Sequence, residues 1–116
     1  MTLIPKSEIR QVKEISSMET QRIYDYLQGA VYCWCKNKLG EWFSAREFLG
    51  GENFDWNGTP MIVLYEKHKS KGKTNEQSIL DAGKDAGWIL KKVINDDQRS
   101  FETKKESLIR KYRWIK

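Results

Sequence analysis

Helix-start signals recur along this chain and limit what it can become. Ser16 is followed three residues later by Glu19, Ser44 by Glu47 and Thr74 by Gln77. In each pair the hydroxyl and the carboxylate or amide can satisfy backbone amides that the first helical turn leaves unbonded. Thr59-Pro60 adds a fourth start, because proline at the first helical position loses only an amide without an intrahelical partner. Four starts in 116 residues describe a mainly helical chain with short connections.

The apolar spacing agrees with these starts. A helix over about 17–37 places Ile23, Leu27, Ala30, Val31 and Trp34 on one core-facing stripe, which Gly29 weakens only locally. After the step Leu39-Gly40-Glu41-Trp42-Phe43, a helix of about two turns begins at Ser44. Phe43 and Phe48 bracket it as a hydrophobic staple, and Gly50-Gly51 end it. The loop Glu52–Gly58 carries turn residues, with Phe54 and Trp56 as anchors to the core. The third helix runs from Thr59-Pro60 to about Lys69, with Met61, Leu64, Tyr65 and His68 on one face and Gly72 as its breaker. A fourth helix over 75–95 places Ile79, Ala82, Gly83, Ala86, Leu90 and Val93 on one face, and its small residues Ala82, Gly83, Ala86 and Gly87 allow close helix packing or a bend.

The last segment admits two readings. As a hairpin, Arg99–Thr103 pairs with Leu108–Ile115 around Lys104–Ser107, with Leu108, Tyr112 and Trp114 on one strand face. As a helix, Thr103 and Glu106 form another capping box, with Leu108, Tyr112 and Ile115 on one stripe. The turn lacks glycine, but the aromatic and β-branched content of 108–115 favours the hairpin. The expected fold is mainly α with a small C-terminal β-hairpin, a single α+β domain over 16–116 preceded by a flexible N-terminal arm over 1–15. An all-α bundle is the alternative.

Charge is distributed unevenly. Residues 1–58 hold seven Lys and Arg against eight Asp and Glu, net −1, while 59–116 hold fourteen against eight, net +6. An acidic partner, nucleic acid or protein, is therefore expected on the second half. With 39% hydrophobic residues the chain is too apolar for a disordered polycation. Its longest apolar run, Met61–Tyr65, is far short of the ~20 residues of a membrane span, and a cytoplasmic protein is expected. Cys33 and Cys35, one residue apart, suit neither a disulfide nor a zinc knuckle and read as reduced thiols.

Catalytic signals are weak. The single histidine, His68, lies among lysines at a helix end, where a solvated or core-flanking role is expected. No nucleophile is marked beside an oriented base. Neither phosphate-cradling glycine pattern occurs, and no Cys/His set builds a metal cage. No enzyme activity, cofactor or metal is expected.

The order of elements (helix, extended step Glu41-Trp42-Phe43, short helix, helix, basic turn, helix, terminal hairpin) resembles the winged helix-turn-helix family over about 17–115. That resemblance implies a DNA-binding module, such as a bacterial or phage-type transcription regulator, in which a recognition helix enters the major groove and a wing hairpin grips the adjacent phosphates. On this chain it points to helix 75–95, with Asn75 and Gln77 at its start and Lys84, Lys91, Lys92 and Asn95 outward. It also points to a wing of Arg99, Lys104, Lys105, Arg110, Lys111 and Arg113, joined by Lys69, Lys71 and Lys73 of the preceding turn. Ser78–Gly83 followed by Trp88–Asn95 also resembles a compact helix-turn-helix with an Ala-Gly turn. The alternative function is a protein-interaction module, an inhibitor or adaptor, since five Trp, five Tyr and four Phe exceed the needs of a small core. A homodimer, if one forms, is expected to use helix 17–37 or the arm.

Overall fold

The structure is a computed structural model that describes residues 10–48, 56–106 and 109–115. Among these residues four helices precede a terminal hairpin: α1 (Ser17–Asn37), α2 (Ala45–Phe48), α3 (Ile62–Lys69), α4 (Asn75–Asp96), β1 (Ser100–Glu106) and β2 (Ile109–Ile115). The chain is mainly helical with an antiparallel hairpin, an α+β fold.

α1 begins where expected. Ser16 Oγ accepts from the Glu19 amide at 3.0 Å, and Glu19 Oε1 accepts from the Ser16 amide at 2.8 Å. Its buried stripe is Ile23, Leu27, Val31 and Cys35, with Trp34 only partly covered. Cys35 occupies a core position as a small apolar side chain, one position beyond the expected Trp34. Both cysteines are free thiols, Cys33 exposed and Cys35 buried.

At the second start, Glu47 Oε2 accepts from the Ser44 amide at 2.7 Å and also from its hydroxyl. The Phe43 and Phe48 rings pack at 5.3 Å. The expected stop at Gly50-Gly51, the anchoring by Phe54 and the strand position of Leu108 lie outside the described residues. Trp56 is buried. α3 starts two residues later than Thr59-Pro60 would put it. Thr59 Oγ1 instead accepts from the Met61 amide and donates to the Trp56 carbonyl, closing a turn ahead of the helix. Gly72, at φ +84°, ends the α3 region in a left-handed conformation that an L side chain adopts only with strain.

α4 is the central element, packed against α1, α2 and α3. Thr74 Oγ1 caps the Gln77 amide at 3.1 Å, but the Gln77 side chain turns forward to Asp81, so only half of the expected box forms. The helix is continuous from Asn75 to Asp96, and the compact helix-turn-helix with an Ala-Gly turn at Gly83 is corrected accordingly. Helical hydrogen bonding and eight buried side chains outweigh the two glycines, each of which costs about 1 kcal/mol relative to alanine.

The hairpin pairs Ser100 with Ile115 through Glu106 with Ile109, leaving only residues 107 and 108 as the connection. β1 thus extends through Lys104–Glu106, which the sequence reading assigned to the turn. Phe43, on the step between α1 and α2, bridges Tyr112 with reciprocal amide-to-carbonyl bonds of 2.8 Å each way. Phe43 is fully buried among Trp34, Phe48, Phe101 and Tyr112, and this aromatic cluster joins the hairpin to the helices. Of the arm, residues 10–15 lie against the domain: Val12 is buried, Lys67 Nζ donates to the Lys13 carbonyl, and Glu14 pairs with Lys71.

Candidate nucleic-acid interface

Strand alternation sorts the hairpin residues onto two faces. Phe101, Thr103, Arg110, Tyr112 and Trp114 share the face toward the core, which Lys105 continues near the tip. Glu102, Lys104, Glu106, Ile109, Lys111 and Arg113 share the outer face. Trp42, one residue before the bridging Phe43, belongs to the outer side. The Lys104 ammonium lies 4.2 Å and the Arg113 guanidinium 4.8 Å from its ring centroid. Two cations over one indole form an aromatic and electropositive surface.

Carboxylates temper that surface. Arg113 Nη2 donates to Glu102 at 2.7 Å, and Glu106 takes Lys104 at 2.9 Å and Lys111 at 3.2 Å. Hydrogen bonds from Lys104 and Lys111 hold the Glu106 carboxyl below its usual range. Arg110 Nη1 donates to Thr103 Oγ1 at 3.0 Å, and Lys105 is exposed near the tip.

Arg99 does not belong to this surface. It is half-buried beside Asp97, taking both carboxylate oxygens at 3.0 and 2.7 Å, with its guanidinium 5.7 Å from the rings of Tyr32, Phe101 and Trp114. Burial pushes the Asp97 carboxyl up, but the bonds from Arg99 prevail and hold it below its ordinary value, while Asp97 raises Arg99. This pair is the joint between α4 and β1. The open groove next to it is lined by Asp25, Asp96 and Asp97 together with Tyr32, Cys33 and Arg99. Three aspartates do not welcome a phosphate.

On α4 the helical period separates the expected contacts. Lys84, Lys91 and Asn95, at i, i+7 and i+11, fall on one outward stripe with the exposed Leu80. Lys84 extends into solvent with 65% of its side chain exposed, 4.0 Å from Asp81. Lys92 lies about a quarter-turn away and pairs with Asp96 at 3.0 Å. At the helix start, Gln77 Nε2 donates to Asp81, and Asn75 Oδ1 accepts from the Tyr65 hydroxyl. Lys71 is exposed and paired to Glu14.

Lys73 points inward, and sequence reasoning missed why. His68 and Asp85 are buried and joined at 2.8 Å between Nε2 and Oδ2. Lys67 reaches the same oxygen at 2.8 Å, while Lys73 Nζ meets His68 Nδ1 at 2.8 Å and Asp81 Oδ2 at 2.8 Å. An ammonium can only donate, so Nδ1 accepts and Nε2–H donates to Asp85. Lys73 and Gln77 lower the Asp81 carboxyl. The five side chains form one network between α3 and α4. The only advance signal was an acidic residue on the buried face of the fourth helix, and the sequence reading did not use it.

Comparison with protein-family models, with curated proteins and with solved structures finds no match. No helix among the described residues is long and apolar enough to cross a membrane.

Proposed function

We propose that this protein binds duplex DNA as a small winged-helix-like module and acts by occupancy, as a regulator does. The observation that carries the reading is the Phe43–Tyr112 bridge. It ties the step between the first two helices to the last strand, so that the hairpin is held to the helical body as a wing would be. The wing contacts are Lys104, Lys111 and Arg113 around Trp42, with Lys105 and Arg110 toward the tip. The groove-facing stripe is Lys84, Lys91 and Asn95, lysine neutralising phosphates and asparagine able to pair with adenine. Asn75, Gln77, Lys73 and Arg99 are held by neighbouring side chains, and with Lys71 and Lys92 they take a supporting role. A cytoplasmic setting accords with two free thiols.

The test is titration of a fluorescent duplex at two salt concentrations. Binding is expected near 50 mM salt and to weaken by about 0.9 in log K per phosphate contact for each tenfold rise in salt. Lys84→Glu with Lys91→Glu, and separately Lys104→Glu with Lys111→Glu, each weaken it by tenfold or more, while Lys92→Glu changes it little. No binding at low salt, or binding indifferent to salt, would remove the proposal.

A further inference from the structure

One exposed face of α1 carries a pattern that complements itself when reversed. Asp25, Gly29, Tyr32 and Lys36 stand at i, i+4, i+7 and i+11, so the helix gathers them within about 60° of arc along about 16 Å of its length. All four face solvent, and Tyr32 is 54% exposed. A Cβ added at Gly29 would meet no heavy atom within 4 Å, so the helix has a notch there, one turn from the tyrosine ring. The groove over Gly29 is lined by Asp25 and Tyr32 of α1 and by Asp96 and Asp97 where α4 ends.

Neither charge of this stripe holds an ion pair among the described residues. Asp25 accepts the Gln21 side-chain amide at 2.9 Å, and the Lys36 ammonium stands 5.9 Å from the Tyr32 ring centroid. Along the helix the order is acid, notch, ring, base, and a reversed copy offers base, ring, notch, acid. A second α1 laid antiparallel, with a two-fold axis between Ala30 and Val31, therefore sets its Lys36 opposite Asp25 and its Tyr32 opposite Gly29, each pair occurring twice. The ring fills the notch, and glycine lets the two axes approach toward the short end of the usual range of about 8–10 Å. The aspartates lining the groove outnumber its one arginine, which favours an arriving ammonium. A parallel arrangement would set Asp25 against Asp25 and Lys36 against Lys36, so charge selects the antiparallel one.

We infer that this face of α1 is the contact through which two copies of the chain join, helix against antiparallel helix, about a two-fold axis between Ala30 and Val31. The inference does not depend on DNA binding. One helix-on-helix contact buries less than the roughly 1,200 Å² of stable interfaces, so the dimer is weak, with Kd of about 10–1,000 µM.

Sedimentation equilibrium of the full chain across that concentration range is the test. The wild type shows a reversible monomer–dimer equilibrium. Gly29→Gln fills the notch and raises Kd by about tenfold or more. Glutamine is the better helix former and has open space at this position, so circular dichroism and thermal stability are kept. Asp25→Lys sets like charges against each other and also weakens the dimer. Asp25→Lys with Lys36→Asp restores it, which a change in the fold of the monomer would not do. A chain that stays monomeric to about 1 mM overturns the inference. So does a dimer indifferent to both Gly29→Gln and Asp25→Lys, since its contact then lies elsewhere, and so does a double reversal that fails to restore association.

Discussion

At the scale of single residues, the buried network around His68 is the most demanding feature. Lys67 and Asp85 retain only 8% and 6% of their side-chain exposure, so each charge relies on the other rather than on water. Asp85→Ala would leave the His68 ring N–H without its acceptor and the Lys67 ammonium with only the Lys13 carbonyl in place of a countercharge. Removing one member of a buried pair costs about 3–5 kcal/mol, and urea unfolding of Asp85→Ala is expected to show a loss of that order. A loss under about 1 kcal/mol would mean that solvent reaches the site. None of this was readable from His68 alone. A histidine among lysines looks like a solvated helix end until the fold sets Asp85, seventeen residues on, against its ring.

At the scale of elements, local signals did well wherever their partners lie within one turn. The capping box at Ser16, the helix over 17–37 and the stripe Ile23, Leu27, Val31 follow from spacing alone, because cap and stripe are made from residues three or four apart. The same local logic misplaced two features. It allowed a turn at Gly83, where α4 runs straight through, and it stopped β1 at Thr103, where the ladder continues to Glu106. Both depend on long-range packing: α4 on three other helices, the strand on a partner across the hairpin. Gly83 offers a direct check, because no heavy atom would meet an added Cβ within 4 Å. Gly83→Ala is expected to raise stability by about 0.5–1 kcal/mol, as alanine does inside a helix. A turn at that position would give a loss instead, and a thermal melt reads the sign.

At the scale of the whole molecule, acidic side chains hold separate parts of the chain together. Glu14 joins the N-terminal segment to Lys71, Asp81 joins α4 to Lys73, Asp97 anchors Arg99 beyond the end of α4, and Glu106 gathers Lys104 and Lys111 on the hairpin. All four carboxyls sit below their ordinary values of 3.8 for Asp and 4.5 for Glu. Folding lowers each pKa, so each contributes stability that is present above the ordinary value and is lost as pH falls through the folded one. Urea midpoints are therefore expected to be nearly level between pH 7 and pH 5.5 and to fall below about pH 4. A midpoint that stays level or rises into acid would contradict these pairings.

Taken alone, the sequence determined where helices begin, which stripes are apolar, that the end favours strands and that positive charge collects in the second half. Each of these is written in residue types a few positions apart. Tertiary structure alone decided which cations turn inward. Lys67 carries the same charge as Lys84, yet it meets Asp85, which only the packing of α3 on α4 brings into reach. Strand phase was decided the same way: the Phe43–Tyr112 bridge, across 69 positions of chain, sets which backbone groups of the hairpin turn toward the helical body. Hydrogen bonds and ion pairs act over about 3 Å in space whatever the separation along the chain, so they stay illegible until the chain has folded.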